Sequence, residues 1–258
     1  MILSGKTVVI TGASSGIGRE TALAFGRAGA NVVLAARREH ALREVVDGLP
    51  EARDRMLILP ADITIDGDVD RIVEQTLKTF GRIDVLINNA GAGLRAELID
   101  TRVEDARRVM DLNFFGAVRC VHAVLPVMRN QRAGQIVNIS SILGIIATPR
   151  NSLYCASKFA LRALSDALRM ELCASGIDVI SILPGYTNTP FFENLIRHDG
   201  PERSNPFRGQ SPTKVADVIL GACQHRKREV VLTAPGILGY WVQRFAPRLI
   251  ELSLRHSI

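Results

Sequence analysis

The chain contains no uninterrupted apolar run approaching the roughly 20 residues that a membrane-spanning helix requires, so its 258 residues offer no candidate span. Its start, Met1 to Gly5, leads directly into an apolar strand-like run, without the basic region, hydrophobic segment and small-residue cleavage site of a secretory signal. The expected location is cytoplasmic. Cysteine is scarce: Cys120, Cys155, Cys173 and Cys223 lack close metal-ligand spacing, and their apolar neighbours suit free thiols in a reducing compartment. No metal is expected. Long polar or low-complexity tracts are also missing, and 47% apolar with 22% charged residues describes a folding chain with a large core. The formal charge of +6 comes without aromatic-rich basic repeats or zinc-finger spacing, so no specific nucleic-acid partner is expected. A phosphorylated small molecule uses a basic patch equally well.

What is present is alternation. Apolar strand-like runs at Lys6–Thr11, Asn31–Ala36, Met56–Pro60, Ile83–Ile87, Gly134–Ser140, Asp178–Leu183 and Glu229–Thr233 are separated by segments of helical spacing. These helices run to about Gly29, from after Ala36 to before Pro50, over Asp66–Phe80, over roughly Val103–Met128 with a break near Asn113, over Ser152–Ala174, and over Pro212–Gln224. Strand and helix in repeated exchange predict an α/β fold: a parallel sheet covered on both faces, with right-handed crossovers, in one domain spanning 1–258. Functional side chains then gather beyond the carboxyl ends of the strands.

Thr11-Gly12-Ala13-Ser14-Ser15-Gly16-Ile17-Gly18 falls where the first strand passes into a helix. Glycines 12, 16 and 18 permit a tight turn and close ligand approach, and a helix start offers free N–H groups and a positive dipole end to a diphosphate. The spacing is not G-x-G-x-x-G, but its position favours a dinucleotide turn over a passive bend. Ala36 at the end of the second strand cannot accept the ribose hydroxyls of NAD, whereas Arg37 can pair with an added 2′-phosphate. With Ser14 as a hydroxyl partner and Arg38 in support, NADP(H) is expected to be preferred over NAD(H); ordinary surface solvation is the alternative for the arginine pair. After the third strand, Asp62-Ile63 is a candidate contact to adenine, or Asp62 caps the following turn. Asn88-Asn89-Ala90-Gly91 offers small residues and backbone groups to line the cofactor cleft.

At the chemical end, Tyr154 and Lys158 are four residues apart and share one helical face, giving a phenol that exchanges a proton and a cation that stabilises its phenolate. Ser141 follows a predicted strand. With Thr11 to Gly18, Asn88 to Gly91, Asn113, Ser141, Tyr154 to Lys158 and Pro184-Gly185 in this order, the chain resembles the short-chain dehydrogenase/reductase family in its common one-domain form over roughly residues 6 to 234. The resemblance implies a Rossmann-like three-layer sandwich whose mostly or wholly parallel seven-stranded sheet has the order 3-2-1-4-5-6-7, assembled as a homodimer or homotetramer. It implies that Tyr154 is general acid in carbonyl reduction and general base in alcohol oxidation. Lys158 would hold the nicotinamide ribose and lower the tyrosine pKa, Ser141 would hydrogen-bond the reacting oxygen, and Asn113 would hold a relay water. The family's serine-to-tyrosine spacing selects Ser141 over Ser140, which is left to support the strand end. Pro184 and Gly185 lead to Thr189, expected at the nicotinamide carboxamide, while Thr187 replaces the aliphatic residue common at its position.

The segment 186–212 reads as a substrate-covering loop containing a short helix, by its Gly, Pro, Asn and Ser content and its phenylalanines. Leu94, Leu143, Ile145, Ile146, Tyr186, Phe191, Phe192 and Phe207 are candidates for an apolar pocket, which favours a lipophilic ketone or aldehyde; core packing or loop anchoring is their equal alternative. Arg197 and Arg203 are the cations able to move inward. The tail, 235–258, carries Tyr240, Trp241, Phe245, Leu249, Ile250, Leu252 and Leu254 among Arg244, Arg248 and Arg255. A core-covering or dimer-facing helix is the favoured reading, and weak peripheral membrane association is the alternative.

Overall fold

The computed structural model of the chain describes residues 2–197 and 209–254. Numbering the strands of the main sheet alone, β1 is Thr7–Thr11, β2 Asn31–Ala36, β3 Met56–Pro60, β4 Val85–Asn88, β5 Gly134–Ile139, β6 Ile177–Leu183 and β7 Glu229–Val231. All pair in parallel in the order β3-β2-β1-β4-β5-β6-β7, the expected one. The helices are α1 Gly16–Arg27, α2 Glu39–Asp47, α3 Asp66–Phe80, α4 Val103–Met110, α5 Gly116–Gln131, α6 Ser152–Glu171, α7 Pro212–Gln224, α8 Ala234–Phe245 and α9 Pro247–Leu254.

The pleat decides which helices cover which face. Successive strand side chains point to opposite sides, so Val8 and Ile10 of β1 pack with Val32, Leu34, Val137 and Ile180 beneath α1, α2 and α7. Val9 goes the other way, joining Val33, Leu86, Ile136 and Val179 beneath α3, α5 and α6. Strands buried on both faces explain why the runs read as continuously apolar. The chain order reverses between β1 and its two neighbours, β2 and β4. A crevice opens at that switch point beyond the strand carboxyl ends. All four cysteines are free thiols, three of them buried and Cys173 exposed.

Two segments take forms that local patterning does not specify. The described residues of the 186–212 loop form a turn over 190–194, and then a two-residue strand, Ile196–Arg197, pairs in parallel with Leu94–Arg95; the helix expected in this loop is not among them, and 198–208 lie outside the described residues. Leu94 is buried in a small cluster with Ala96, Val109 and Ile196, so it anchors this loop and lines no pocket. Phe207 and Arg203 lie outside the described residues. The tail forms two helices, α8 and α9; the inner side of α8 packs against Ile142 and Ile146, and the outer faces expose Leu238, Trp241, Phe245, Leu249 and Leu252.

At the other end of the sheet, Asp84 is buried just before β4. It accepts from Arg82 Nε at 2.7 Å and Nη2 at 2.6 Å, from Lys6 Nζ at 3.2 Å and from the Thr7 amide at 3.0 Å. Burial alone would raise its pKa, but the hydrogen bonds from Arg82, Thr7 and Lys6 outweigh it and leave the carboxyl below its usual range. This anion ties β1 to β4. A depressed folded pKa supplies stability that is present above the unfolded value and lost as pH falls through the folded one. Asp84→Asn is expected to lower stability by about 1–3 kcal/mol at pH 7. The difference from the unchanged protein should shrink on acidification, as read by urea unfolding at several pH values.

Candidate active site

The glycine turn is built by backbone packed on backbone. Gly12 and Gly16 have φ of 65° and 55°, the left-handed region that side chains resist. A Cβ on Gly12 would stand 2.8 Å from Ala90 Cα, and one on Gly18 would stand 2.2 Å from Gly12 O and 2.5 Å from Asn89 Nδ2. Asn89 Nδ2 donates to Thr11 O at 3.0 Å and Gly12 O at 3.2 Å. Thr11 Oγ1 in turn accepts from the Asn89 and Ala90 amides at 3.0 and 3.1 Å and donates to Ile87 O at 3.3 Å. The exits of β1 and β4 are thereby locked together beneath the glycine turn. Ser15 precedes α1 in extended conformation without capping it, and no acidic residue occupies the first turn. The hydroxyls of Ser14 and Ser15 make no hydrogen bond among the described residues, so both are available to a ligand. Ile17 packs its side chain against the core and contributes its backbone alone.

Arg37, exposed just beyond β2, has Nη1 3.8 Å from Asp62 Oδ2. Arg38 is exposed at the start of α2. Asp62 Oδ1 accepts from the Thr64 amide at 3.0 Å and Thr64 Oγ1 at 2.8 Å, so the capping role anticipated for it is present, with Oδ2 facing Arg37. Ile63 is buried, and a Cβ on Gly116 would meet its Cδ1 at 2.7 Å; its side chain belongs to the core.

Between α4 and α5 the chain loosens into one π-helical turn, Asp111–Phe115, with Asn113 buried within it. Such a turn re-aims a side chain that a regular helix would place elsewhere. Asn113 Oδ1 accepts from the Ala92 amide at 2.8 Å, and its Nδ2 donates to Ala92 O at 2.9 Å and Ser157 Oγ at 3.0 Å. Ser157 Oγ donates to Tyr154 O at 2.7 Å. Gly91 completes the junction: a Cβ there would stand 3.1 Å from Asn113 Oδ1 and 3.6 Å from Lys158 Nζ. The β4 exit, the π-turn and α6 therefore meet at the Tyr154–Lys158 face.

Lys158 is buried, donates from Nζ to Ile139 O at 2.9 Å and lies 5.8 Å from the Tyr154 ring centroid. Burial pulls its pKa down to about 8. Burial likewise pushes Tyr154 up to about 12, opposed by a hydrogen bond with Ser141. For the phenol, desolvation is the largest influence, and the Lys158 ammonium donates to the β5 carbonyl of Ile139. Ser141 also accepts the Leu143 amide at 3.1 Å. Ser140 is buried and donates to Lys158 O at 3.0 Å, the strand-end support assigned to it.

The next strand exit closes the crevice. Pro184 O accepts from the Ile142 amide at 2.9 Å, placing Pro184-Gly185 beside Ser141. Thr189 crosses the glycine turn, its Cβ 3.1 Å from where a Cβ of Gly16 would be. Thr187 is buried and donates to Gly185 O at 3.1 Å, so its hydroxyl serves the turn. Over the phenol, Phe191 lies 5.8 Å from the Tyr154 ring, Phe192 5.3 Å from Phe191 and Tyr186 4.3 Å from Phe192, centroid to centroid. Ile145 is buried, and Leu143 and Ile146 are half-buried on the turn after Ser141.

A parallel sheet with this switch point, a glycine turn and a Tyr–Lys pair on one helix define a class of dinucleotide-associated α/β oxidoreductases. The short chain dehydrogenase profile matches residues 6–200. The chain is 40% identical over 253 residues to dehydrogenase/reductase SDR family member 7B of Bos taurus, covering 94% of this chain and 78% of that one. It is 34% identical over 256 residues to the SDR family protein 7-like of Drosophila melanogaster, covering 96% and 78%. Among solved structures, a short-chain dehydrogenase from Streptomyces avermitilis superposes with a TM-score of 0.85 at 30% identity over 98% of both chains. One from Burkholderia phymatum, in complex with NAD, gives 0.86 at 28% identity over 98% and 96%. The chain belongs to the short-chain dehydrogenase/reductase family of oxidoreductases.

Two residues that organise this site escaped the sequence reading, Thr11 and Ser157. Both sit inside motifs already singled out, but the partners that give them their roles lie far away along the chain. The buried ammonium makes a sharper prediction. With a folded pKa near 8 against an unfolded value near 10.5, Lys158 opposes folding fully below about pH 8, and the penalty fades as pH rises toward the unfolded value. Lys158→Met is expected to abolish turnover yet raise unfolding stability at pH 7 by about 1–3 kcal/mol, the gain shrinking between pH 8 and 10.5 in denaturant titrations. Equal or lower stability at pH 7 would contradict the desolvation account.

Proposed function

We propose that the protein interconverts a ketone or aldehyde and an alcohol with NADP(H), acting as a reductase of a lipophilic carbonyl. The observation that carries this reading is the grouping of the Tyr154 phenol, hydrogen-bonded to Ser141, with the Lys158 ammonium 5.8 Å from its ring and close to Gly91 at the β4 exit. The residues fit a dinucleotide: Gly12, Gly16 and Gly18 let the turn pack so closely on Asn89, Ala90 and Thr189 that a Cβ would collide with them, and the α1 N-terminus has no side-chain cap. Gly12, Ser14, Ser15, the Ile17 amide and Gly18 would hold the diphosphate, Asp62 the adenine, Asn89, Ala90 and Gly91 the middle of the cofactor, and Thr189 and Gly185 the nicotinamide end. Arg37, with Arg38 beside it, supports the 2′-phosphate over NAD. Structural neighbours described with NAD and NADH support the dinucleotide class and leave the preference to Arg37.

The bound nicotinamide supplies or accepts the hydride. Tyr154 supplies the proton to the carbonyl oxygen in reduction and takes it back in oxidation. A phenol held neutral well above pH 7 is charged with its proton in the reductive direction at physiological pH. Ser141, already hydrogen-bonded to that phenol, orients the reacting oxygen. Lys158 sets the potential around it, and Asn113 fixes the backbone from which both hang. Phe191 packs against the Tyr154 ring and, with Phe192 and Tyr186, would line the approach with apolar surface. Assembly as a homodimer or homotetramer in the cytoplasm completes the reading.

Initial rates of NADPH oxidation across aliphatic, aromatic and polycyclic ketones test it. Tyr154→Phe is expected to keep NADPH binding and lose turnover by about 100-fold or more. Arg37→Ala is expected to raise the KM for NADPH by about tenfold while leaving that for NADH within a factor of two. Wild-type turnover in folded Tyr154→Phe, or NADH used as well as NADPH by the unchanged protein, would overturn the acid role and the preference respectively.

A further inference from the structure

The two C-terminal helices present an apolar surface in an unusual place. The inner side of α8 is already satisfied: a Cβ on Gly239 would stand 2.7 Å from Ile146 Cδ1, one on Gly236 3.4 Å from Ile142 Cδ1, and Tyr240 lies 5.7 Å from the Arg162 guanidinium. A surface helix ordinarily turns polar side chains outward. Here the outward side carries Ile237, Leu238, Trp241 and Phe245, and α9 continues it with Leu249 and Leu252. Phe245 is 75% exposed, Leu238 66% and Trp241 51%. Trp241 and Phe245 stack at 5.9 Å between centroids, their planes 9° apart. Contiguous apolar exposure of this kind marks a surface that meets something.

Charge identifies what it meets. Arg244 and Arg248 lie exposed among these residues and form no ion pair among the described residues, with Glu251 the single acid on either helix. A second copy docked face to face across a two-fold axis would bring four arginines together against two glutamates. An anionic bilayer surface offers both things the helices present, an acyl boundary for the aromatic and leucine side chains and phosphates for the arginines. No helix among the described residues is long and apolar enough to cross a membrane.

We propose that α8 and α9 form an interfacial docking surface for anionic phospholipid bilayers, lying in the headgroup plane. The inner side of the same helix rests on the turn that follows Ser141, so docking holds the mouth of the candidate active site at the boundary where lipophilic molecules dissolve. The docking does not depend on the reaction proposed above.

Trp241 is the chain's single tryptophan, so its emission reports on this surface alone. The full-length protein is mixed with phosphatidylcholine vesicles with and without phosphatidylserine, and with vesicles carrying bromine-labelled acyl chains. Emission should shift to the blue and be quenched by the bromines, with binding about tenfold tighter to the phosphatidylserine vesicles and weakened by salt. Leu238→Asp with Leu249→Asp, both at exposed positions, should remove vesicle binding while leaving the thermal transition and the self-association state unchanged. Arg244→Gln with Arg248→Gln should remove the preference for phosphatidylserine. Three results would overturn the proposal: no co-sedimentation of the folded protein with phosphatidylserine vesicles, binding that survives the aspartate pair, or a lipid-free blue shift that grows with protein concentration and marks a second copy as the occupant.

Discussion

The amide of Asn113 makes three hydrogen bonds that hold the site together, two to the Ala92 backbone and one to Ser157. Each joins elements with no other reason to meet at that height: the exit of β4, the π-turn between α4 and α5, and the first turns of α6. Asn113 itself is buried, and an unmatched polar group there costs about 1–3 kcal/mol. The amide therefore fixes one arrangement of backbone. Tyr154 and Lys158 inherit their positions from it, since Ser157 binds the Tyr154 carbonyl and Gly91 stands against both Asn113 and Lys158. The π-turn is what lets one residue reach both sides.

The site is poised by desolvation more than by charge pairing. Burial moves the phenol up to about 12 and the ammonium down to about 8, and the Lys158 hydrogen bond to Ile139 O holds it facing the β5 carbonyl. Stability is given up at the place where chemistry is proposed. The Asp84 network at the opposite end of the same strands works the other way, its hydrogen bonds overcoming burial. Both ends of the sheet join β1 to β4, one through the Asp84 charge network and the other through the Thr11 and Asn89 hydrogen bonds beneath the glycine turn.

Much of this was legible in the sequence. Asn31–Ala36, Met56–Pro60, Asp66–Phe80 and Pro212–Gln224 appear with the bounds that apolar patterning indicated, because strands buried on both faces and amphipathic helices carry strong local signals. The break near Asn113 was visible, though not that it takes the form of a π-turn, which leaves no periodicity of its own. The pairing of Leu94–Arg95 with Ile196–Arg197 was not readable, since two-residue strands are set by partners about a hundred residues away. Leu94 carried a pocket reading and a packing or loop-anchoring one, and the fold places it in the second. Arg37 and Asp62 show a subtler limit: each was singled out by itself, and only the fold shows them facing each other at 3.8 Å. The tail's apolar residues suggested burial, yet α8 has two apolar sides and the fold covers one.

The central claim is that this scaffold directs hydride chemistry at a carbonyl carbon beside Tyr154. It is tested most directly with NADPH deuterated at the transferable nicotinamide position, a lipophilic ketone, and mass and NMR analysis of the product. The account predicts one deuterium on the carbinol carbon, delivered to a single face. Cofactor that binds saturably but leaves no label in any product, or label scrambled between faces, would contradict it.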